Sequence, residues 1–246
     1  MSHEGQIGVA FASGGHKLIG TLFLAAGDDP KPTAILLHGC PGFEKNHDIA
    51  YALRQRGWNS LVFHYRGCWG SAGDYLFQTI PDDVQAAMDH LQSGCFPQVD
   101  GQRLMLVGSS LGGWAAIITA ARDPRPQAVA VYGTAVSLGQ AEMSDEVIEQ
   151  EFAPWLTGMT PAAFNTQRLA LTDEFQPLRQ VSKIAPRPLL IINGDADAWT
   201  PASGARALYD AAEEPKELFI IPGGNHYLAW HRAELCQIVV EWLMSK

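Results

Sequence analysis

The feature that most restricts the fold of this chain is an alternation of short apolar runs with longer amphipathic ones. Fully apolar runs recur at residues 34–37, 61–63, 104–107, 128–131, 189–192 and 218–221. Such runs are typical of strands buried on both faces of a sheet. Helical patterns separate them, at residues 49–56, 81–91, 111–122, 202–212 and 233–244. This alternation predicts an α/β fold with a mostly parallel central sheet flanked by helices.

Two further strands are predicted near the start of the chain, at residues 7–12 and 18–24, around a turn at Ser13-Gly14-Gly15. They bring the expected sheet to about eight strands. The chain has 246 residues, of which 47% are hydrophobic and 17% charged. We expect a single domain over residues 1–246, because a chain of this length and composition buries a sizeable core without disulfides.

The charge balance and the cysteines indicate which partners to expect. The formal net charge is −9, which disfavours nucleic acid as a partner because phosphate binding needs a basic surface. Cys40, Cys68, Cys95 and Cys236 are scattered, without metal-ligand spacing, so we expect free thiols and no metal. The first residues lack a signal-peptide pattern, and no apolar run is long enough to span a membrane. These observations favour a cytoplasmic protein without a membrane partner, and they leave its oligomeric state open.

Residues 134–183 interrupt the alternation, because they contain no apolar strand pattern. Ser144 is suited to capping a helix that would run through Phe152 and Trp155, and Thr160-Pro161 to starting a second helix that would reach Leu171. Long insertions between strands are often lids over an active site. We therefore expect residues 134–183 to form an inserted helical cap, with a purely structural insertion as the alternative.

The segment Gly108-Ser109-Ser110-Leu111-Gly112 lies directly between a predicted strand and a predicted helix. A G-x-S-x-G pattern in this position is typical of a nucleophile elbow, in which the central serine sits in a tight turn. Glycines are needed on either side because a Cβ atom there would crowd the turn. Ser110 is therefore the predicted nucleophile, and Ser109 lies off the apex of the turn.

A serine nucleophile needs a base, and the base needs an acid that orients it. His226 is the predicted base because it follows the last strand in a glycine-rich loop, at the sheet edge where the elbow opens. His231 and His38 are less well placed. Asp195 and Asp197 both follow the strand at residues 189–192, and their positions alone leave both open as the acid.

An oxyanion formed during acyl transfer needs two N–H donors. The amide of Leu111, next to the nucleophile, is one candidate. The second is expected from the loop His38-Gly39-Cys40-Pro41, where Pro41 has no N–H and Gly39 or Cys40 remains, with Cys40 preferred.

Together these motifs resemble the α/β-hydrolase superfamily over nearly the whole chain. The order Ser110, Asp197, His226 matches the order of that family's triad. Residues 38–41 resemble its H-G-x-P oxyanion loop, and residues 65–73 its Y-R-G-x-G-x-S-x-G loop. Residues 194–201 resemble its G-x-x-D-x-x-x-P motif. The resemblance selects Asp197 as the acid and Cys40 as the second oxyanion donor, and it implies the α/β-hydrolase fold.

Within the superfamily the chain looks most like small serine esterases and prolyl-oligopeptidase-like hydrolases. The resemblance implies hydrolysis of carboxylic esters of small or aromatic substrates through an acyl-enzyme, with no cofactor. Four aromatic residues are expected at the substrate pocket: Trp69, Tyr75, Trp155 and Trp199. The alternatives are a peptidase or amidase, another triad-dependent reaction such as lyase or perhydrolase chemistry, and a catalytically silent binding protein.

Overall fold

The computed structural model describes residues 5–246, and the first four residues, on which the signal-peptide expectation partly rests, lie outside them. One sheet contains eight strands in the order β1-β2-β4-β3-β5-β6-β7-β8. Strands β1 and β2 form an antiparallel hairpin, β2 is antiparallel to β4, and the remaining pairs are parallel. The predicted, mostly parallel α/β sheet is confirmed. The strands are β1 Gly5–Ser13, β2 His16–Leu24, β3 Lys31–Leu37, β4 Asn59–Phe63, β5 Val99–Ser109, β6 Pro126–Tyr132, β7 Leu189–Gly194 and β8 Lys216–Ile221.

Two apolar cores lie on opposite faces of this sheet. Helices α1 (His47–Gln55) and α8 (Arg232–Met244) cover one face. Helices α2 (Ile80–Gln92), α3 (Leu111–Arg122) and α7 (Ala202–Ala211) cover the other. The first ten residues of α3 are all buried, as expected for a helix that is apolar on every side. This burial fixes the start of α3, and with it Ser110, relative to the sheet.

Residues 134–183, called the inserted segment below, connect β6 to β7 mainly through short helical pieces. Ser144 accepts a hydrogen bond from the Val147 amide at the start of α4, and Thr160 caps α5 in the same way. The prediction of one regular α-helix from Ser144 through Trp155 is wrong, because this stretch consists of an α-helical turn, a π-helical turn and a 3₁₀ turn in succession. Pro154 lacks an N–H and cannot continue an α-helix. The pieces are α4 Asp145–Val147, a π-turn Ile148–Phe152, 3₁₀ turns Ala153–Trp155, Asp173–Phe175 and Val181–Ile184, α5 Pro161–Leu169 and α6 Pro177–Gln180.

Helix α5 ends two residues before the predicted end at Leu171, and Ala170 closes it. Within residues 5–246, no helix combines the length and the apolarity needed to cross a membrane.

Candidate active site

Ser110 lies at the sharp turn between β5 and α3. Its backbone has φ 53° and ψ −116°, a conformation that L-residues rarely adopt. A Cβ atom at Gly108 would collide with the carbonyl of Gly112, and one at Gly112 would collide with the carbonyl of Leu37. Both glycines of the predicted elbow are therefore needed for the close approach of backbone to backbone.

His226 and Asp197 come together with Ser110 at the carboxyl edge of the sheet. Nε2 of His226 lies 3.1 Å from Oγ of Ser110, and Nδ1 lies 2.9 Å from Oδ2 of Asp197. His226 follows β8 and Asp197 follows β7. These distances give a continuous chain of hydrogen bonds from carboxylate to imidazole to hydroxyl, which is the arrangement that activates a serine.

The carboxylate of Asp197 is held by four donors. Oδ1 accepts the amides of Trp199 and Thr200 at 2.9 and 2.8 Å, and Oδ2 accepts the Thr200 hydroxyl at 2.6 Å in addition to His226. Burial alone would raise the pKa of this carboxyl, but the hydrogen bonds from His226 and Thr200 outweigh it and lower the pKa. The carboxylate therefore stays charged and oriented toward His226.

The alternative residues from the sequence lie elsewhere. Asp195 accepts the Gly223 amide at 2.6 Å and joins the loops that follow β7 and β8. His231 precedes α8 and lies 3.3 Å from Glu234. Nδ1 of buried His38 donates to the Gly39 carbonyl at 2.7 Å, and burial lowers its pKa to about 3. Ser109 accepts a hydrogen bond from Asn46 behind the turn.

The loop after β3 lies directly against Ser110. A Cβ atom at Gly39 would be 3.1 Å from Cβ of Ser110. The amides of Cys40 and Leu111 donate no hydrogen bond to any group within residues 5–246. Two free N–H groups beside the serine, one of them at the N-terminus of α3, can receive an oxyanion.

The comparisons with known proteins identify the family of this chain. Residues 46–246 match the prolyl oligopeptidase family. The chain belongs to the prolyl oligopeptidase family. It is 29% identical over 200 residues to the uncharacterized protein YfhR of Escherichia coli (strain K12). That match covers 81% of this chain and 64% of YfhR, so the chain aligns with less than two thirds of the relative's length.

Solved structures show the fold of this prolyl oligopeptidase family member to be that of an α/β hydrolase. The α/β hydrolase GrgF from Penicillium superposes with a TM-score of 0.78 at 18% identity, covering 97% of this chain and 98% of that one. Est1E from Butyrivibrio proteoclasticus, bound to ferulic acid, also gives 0.78, at 21% identity and with 96% and 98% covered. The α/β-hydrolase fold inferred from the sequence is confirmed.

Two cavities of this prolyl oligopeptidase family member meet at Ser110 and His226. The larger has a volume of about 170 Å³ and lies under the inserted segment. The smaller, of about 30 Å³, lies on the side of Gly42 and Tyr132. Both include Ser110, Cys40 and His226 in their walls. Open space therefore lies on two sides of the Ser110 hydroxyl.

Of the four aromatic residues predicted at the pocket, only Trp199 lines the larger cavity. Trp69 and Trp155 stack on each other outside it, with ring centroids 5.5 Å apart, and Phe43 packs edge-on against both rings. Trp69 donates to the Pro41 carbonyl at 2.5 Å and so supports the loop that follows β3. Tyr75 is buried in the core. Within residues 5–246, Trp69, Tyr75 and Trp155 therefore lie outside both cavity walls.

Several residues of the larger cavity were not predicted from the sequence. The inserted segment contributes apolar side chains and two charged ones, Glu151 and Arg168. The spacing of Phe164 and Arg168 on α5, four residues apart, could have indicated that both lie on one helix face. The cavity residues of the inserted segment are Ala135, Ser137, Leu138, Met143, Glu151, Phe152, Phe164 and Arg168.

Proposed function

We propose that this protein is a serine hydrolase that cleaves carboxylic esters through an acyl-enzyme at Ser110. The observation that carries the proposal is the hydrogen-bonded chain Ser110–His226–Asp197 on a strained nucleophile turn. Asp197 fixes the tautomer in which Nδ1 of His226 carries the proton, so that Nε2 is free to accept a proton from Ser110.

In the acylation step, Oγ of Ser110 attacks the ester carbonyl carbon while Nε2 of His226 takes the hydroxyl proton. The negative charge that develops on the carbonyl oxygen is received by the amides of Cys40 and Leu111. His226 then returns the proton to the leaving alcohol. A water molecule, deprotonated by His226, attacks the carbonyl carbon of the acyl-enzyme. The bond from that carbon to Oγ of Ser110 then breaks, His226 returns the proton to Oγ, and the carboxylic acid is released.

The cavity under the inserted segment supports a small or aromatic acyl group. Its wall is largely apolar and includes Phe152, Phe164 and Trp199, as is usual for small-molecule sites. Est1E, which shares the fold, binds ferulic acid. We therefore assign the inserted segment as a cap that forms one side of the acyl pocket.

Peptide or amide hydrolysis is the second candidate, and membership of the prolyl oligopeptidase family favours it. The same residues would act, with His226 protonating a leaving amine in place of an alcohol. The two reactions are separated by measuring kcat/KM for matched 4-nitrophenyl esters and peptide 4-nitroanilides. Faster cleavage of the anilides would replace the ester assignment.

A fluorophosphonate probe tests the nucleophile independently of substrate choice. We expect labelling of the native protein at Ser110 and none of Ser110→Ala, with unchanged thermal unfolding. Ser109→Ala is the matched control, and it should still be labelled because Ser109 lies behind the turn. Labelling that persists in Ser110→Ala would remove Ser110 from its assigned role.

A further inference from the structure

Arg168 is a buried arginine in the wall of the larger cavity. It lies on α5 and only 9% of its surface is exposed. Nη1 donates to Oδ1 of Asn165 at 3.5 Å, and the guanidinium carbon lies 5.5 Å from the ring centre of Phe164. Nε is buried and has no acceptor within residues 5–246. The side chain thus keeps unused hydrogen-bonding capacity inside the cavity that contains Ser110.

Other partly buried arginines of this protein have acceptors of the usual kind. Arg66 pairs with Asp83, Arg125 with Asp123 and Arg232 with Asp48, each at 2.6 Å. Arg187 donates to backbone carbonyls, including that of Ala120 at 2.6 Å. A buried guanidinium without an anion is costly, so paired arginines are the rule.

No described residue of the cavity wall supplies the missing anion. Among residues 5–246, no carboxylate lies within 4 Å of Arg168, although Glu151 is on the same wall. The Cys40 thiol lines the same wall, but burial raises the pKa of Cys40 to about 12 and keeps the thiol neutral. The unsatisfied charge therefore faces a cavity that the proposed function assigns to substrate.

We propose that Arg168 binds a carboxylate carried by the substrate, so that the preferred substrates are esters with a free acid group on their acyl part. The inference rests on the proposed ester hydrolysis at Ser110. A planar guanidinium matches a carboxylate in two parallel hydrogen bonds. Apart from His226, Arg168 is the one basic side chain in the cavity wall within residues 5–246. A single cation suits a carboxylate better than a doubly charged phosphate.

Because the net charge of the protein is −9, a preference for acidic over neutral esters has to come from the contact with Arg168. The overall field of the protein repels anions, so long-range attraction does not favour an acidic ester. Discrimination between acidic and neutral esters must then come from short-range contact with Arg168, and salt should affect it only weakly because the contact is buried.

Pairs of methyl esters that differ only in the acid group provide the test. Monomethyl terephthalate is compared with methyl 4-methylbenzoate, and monomethyl adipate with methyl hexanoate, by chromatography of the released acids. The native protein should prefer at least one acidic ester. Arg168→Met should lower kcat/KM for that ester by about ten- to a hundredfold, the range for a hydrogen bond to a charged group. The neutral ester should change by less than about threefold, and Arg168→Lys should keep part of the preference.

Arg179→Met is the matched control, because Arg179 is an exposed arginine of the inserted segment outside the cavity wall. It should leave both esters unchanged. An equal loss on acidic and neutral esters in Arg168→Met would show a purely structural arginine and overturn the proposal. If Arg168→Met does not fold, a native protein that prefers neutral esters in both pairs overturns it as well.

Binding without turnover separates this proposal from the proposed function. Ser110→Ala is titrated with monomethyl adipate and with methyl hexanoate by calorimetry. Tighter binding of the acidic ester, lost on adding Arg168→Met, supports the carboxylate site even if the native protein hydrolyses no ester. Equal binding of the two esters overturns the carboxylate site even if the native protein is an active esterase.

Discussion

Replacing Asp197 by asparagine would change the protonation of His226 while keeping most of the packing around it. Oδ1 of the asparagine can still accept the amides of Trp199 and Thr200. The side-chain NH₂ would replace Oδ2, which faces both Nδ1 of His226 and the hydroxyl of Thr200. An NH₂ group can only donate, so Nδ1 of His226 would become an acceptor and Nε2 would carry the proton. In that tautomer His226 cannot accept the proton of Ser110.

Asp197→Asn should affect turnover much more than it affects stability. Two of the four hydrogen bonds to the carboxylate persist, and the Thr200 hydroxyl can accept a hydrogen bond from the new NH₂ group instead of donating one. The free energy of unfolding should therefore fall by only about 1–2 kcal/mol. Turnover should fall by about 10⁴-fold, as in other triads with the wrong imidazole tautomer. That loss corresponds to about 5 kcal/mol of transition-state stabilisation.

The assay is kcat/KM for 4-nitrophenyl acetate, together with the denaturant midpoint of each variant. Asp195→Asn is the matched control, because Asp195 lies two residues away and its carboxylate accepts the Gly223 amide. Asp195→Asn should keep activity within about tenfold and affect mainly stability. If Asp197→Asn retains activity within tenfold of the native protein, or if Asp195→Asn loses more, the tautomer argument is refuted.

Three further outcomes follow from the same structure. Gly112→Ala should abolish activity and lower the melting temperature, because the new Cβ atom would strike the Leu37 carbonyl; a fully active, equally stable variant would contradict this. Trp155→Ala should reduce kcat/KM evenly across short and bulky esters and cost about 1–2 kcal/mol of stability, whereas Trp199→Ala should change the ratio between them. The folded-state pKa of Asp197 is lowered, so its charge stabilises the fold above the ordinary carboxyl pKa of 3.8 and ceases to do so as the pH falls through the lower value. The difference in denaturant midpoint between the native protein and Asp197→Asn should therefore shrink as the pH is lowered below 3.8.

The sequence predicted the sheet well because a strand buried on both faces must be apolar throughout. The run at residues 34–37 could not be half-exposed, and its side chains are fully buried in β3. The sharp turn at Ser110 was predictable for a similar reason, since only glycine permits the backbone contacts at residues 108 and 112. Local steric requirements of this kind depend on a few neighbouring residues, so a short stretch of sequence is enough to predict them.

The pocket was harder to predict because its walls come from segments far apart in the chain. Trp155 and Phe152 are both large apolar residues of the inserted segment, yet Phe152 lines the cavity and Trp155 stacks on Trp69 outside it. The broken helix around Pro154 decides which of them faces inward. Likewise, nothing near Arg168 in the sequence shows that it has no carboxylate partner among residues 5–246, because a partner could have come from any loop at that edge.

The stack of Trp69 on Trp155 makes the inserted segment a poor candidate for exchange between related enzymes. The Gly67 carbonyl accepts the Thr157 amide at 2.7 Å, and the Tyr75 amide donates to the Thr157 carbonyl at 3.0 Å. With the tryptophan stack, these two hydrogen bonds connect the loop after β4 to the inserted segment at three points. The same loop carries the indole that holds the Pro41 carbonyl. A chimera with a foreign insertion would keep Ser110, His226 and Asp197 in place but would lose the stack that holds Trp69, and with it the support of the loop that carries the Cys40 amide. Its turnover would fall for every substrate, so swapping pocket walls here requires transplanting residues 67–75 as well.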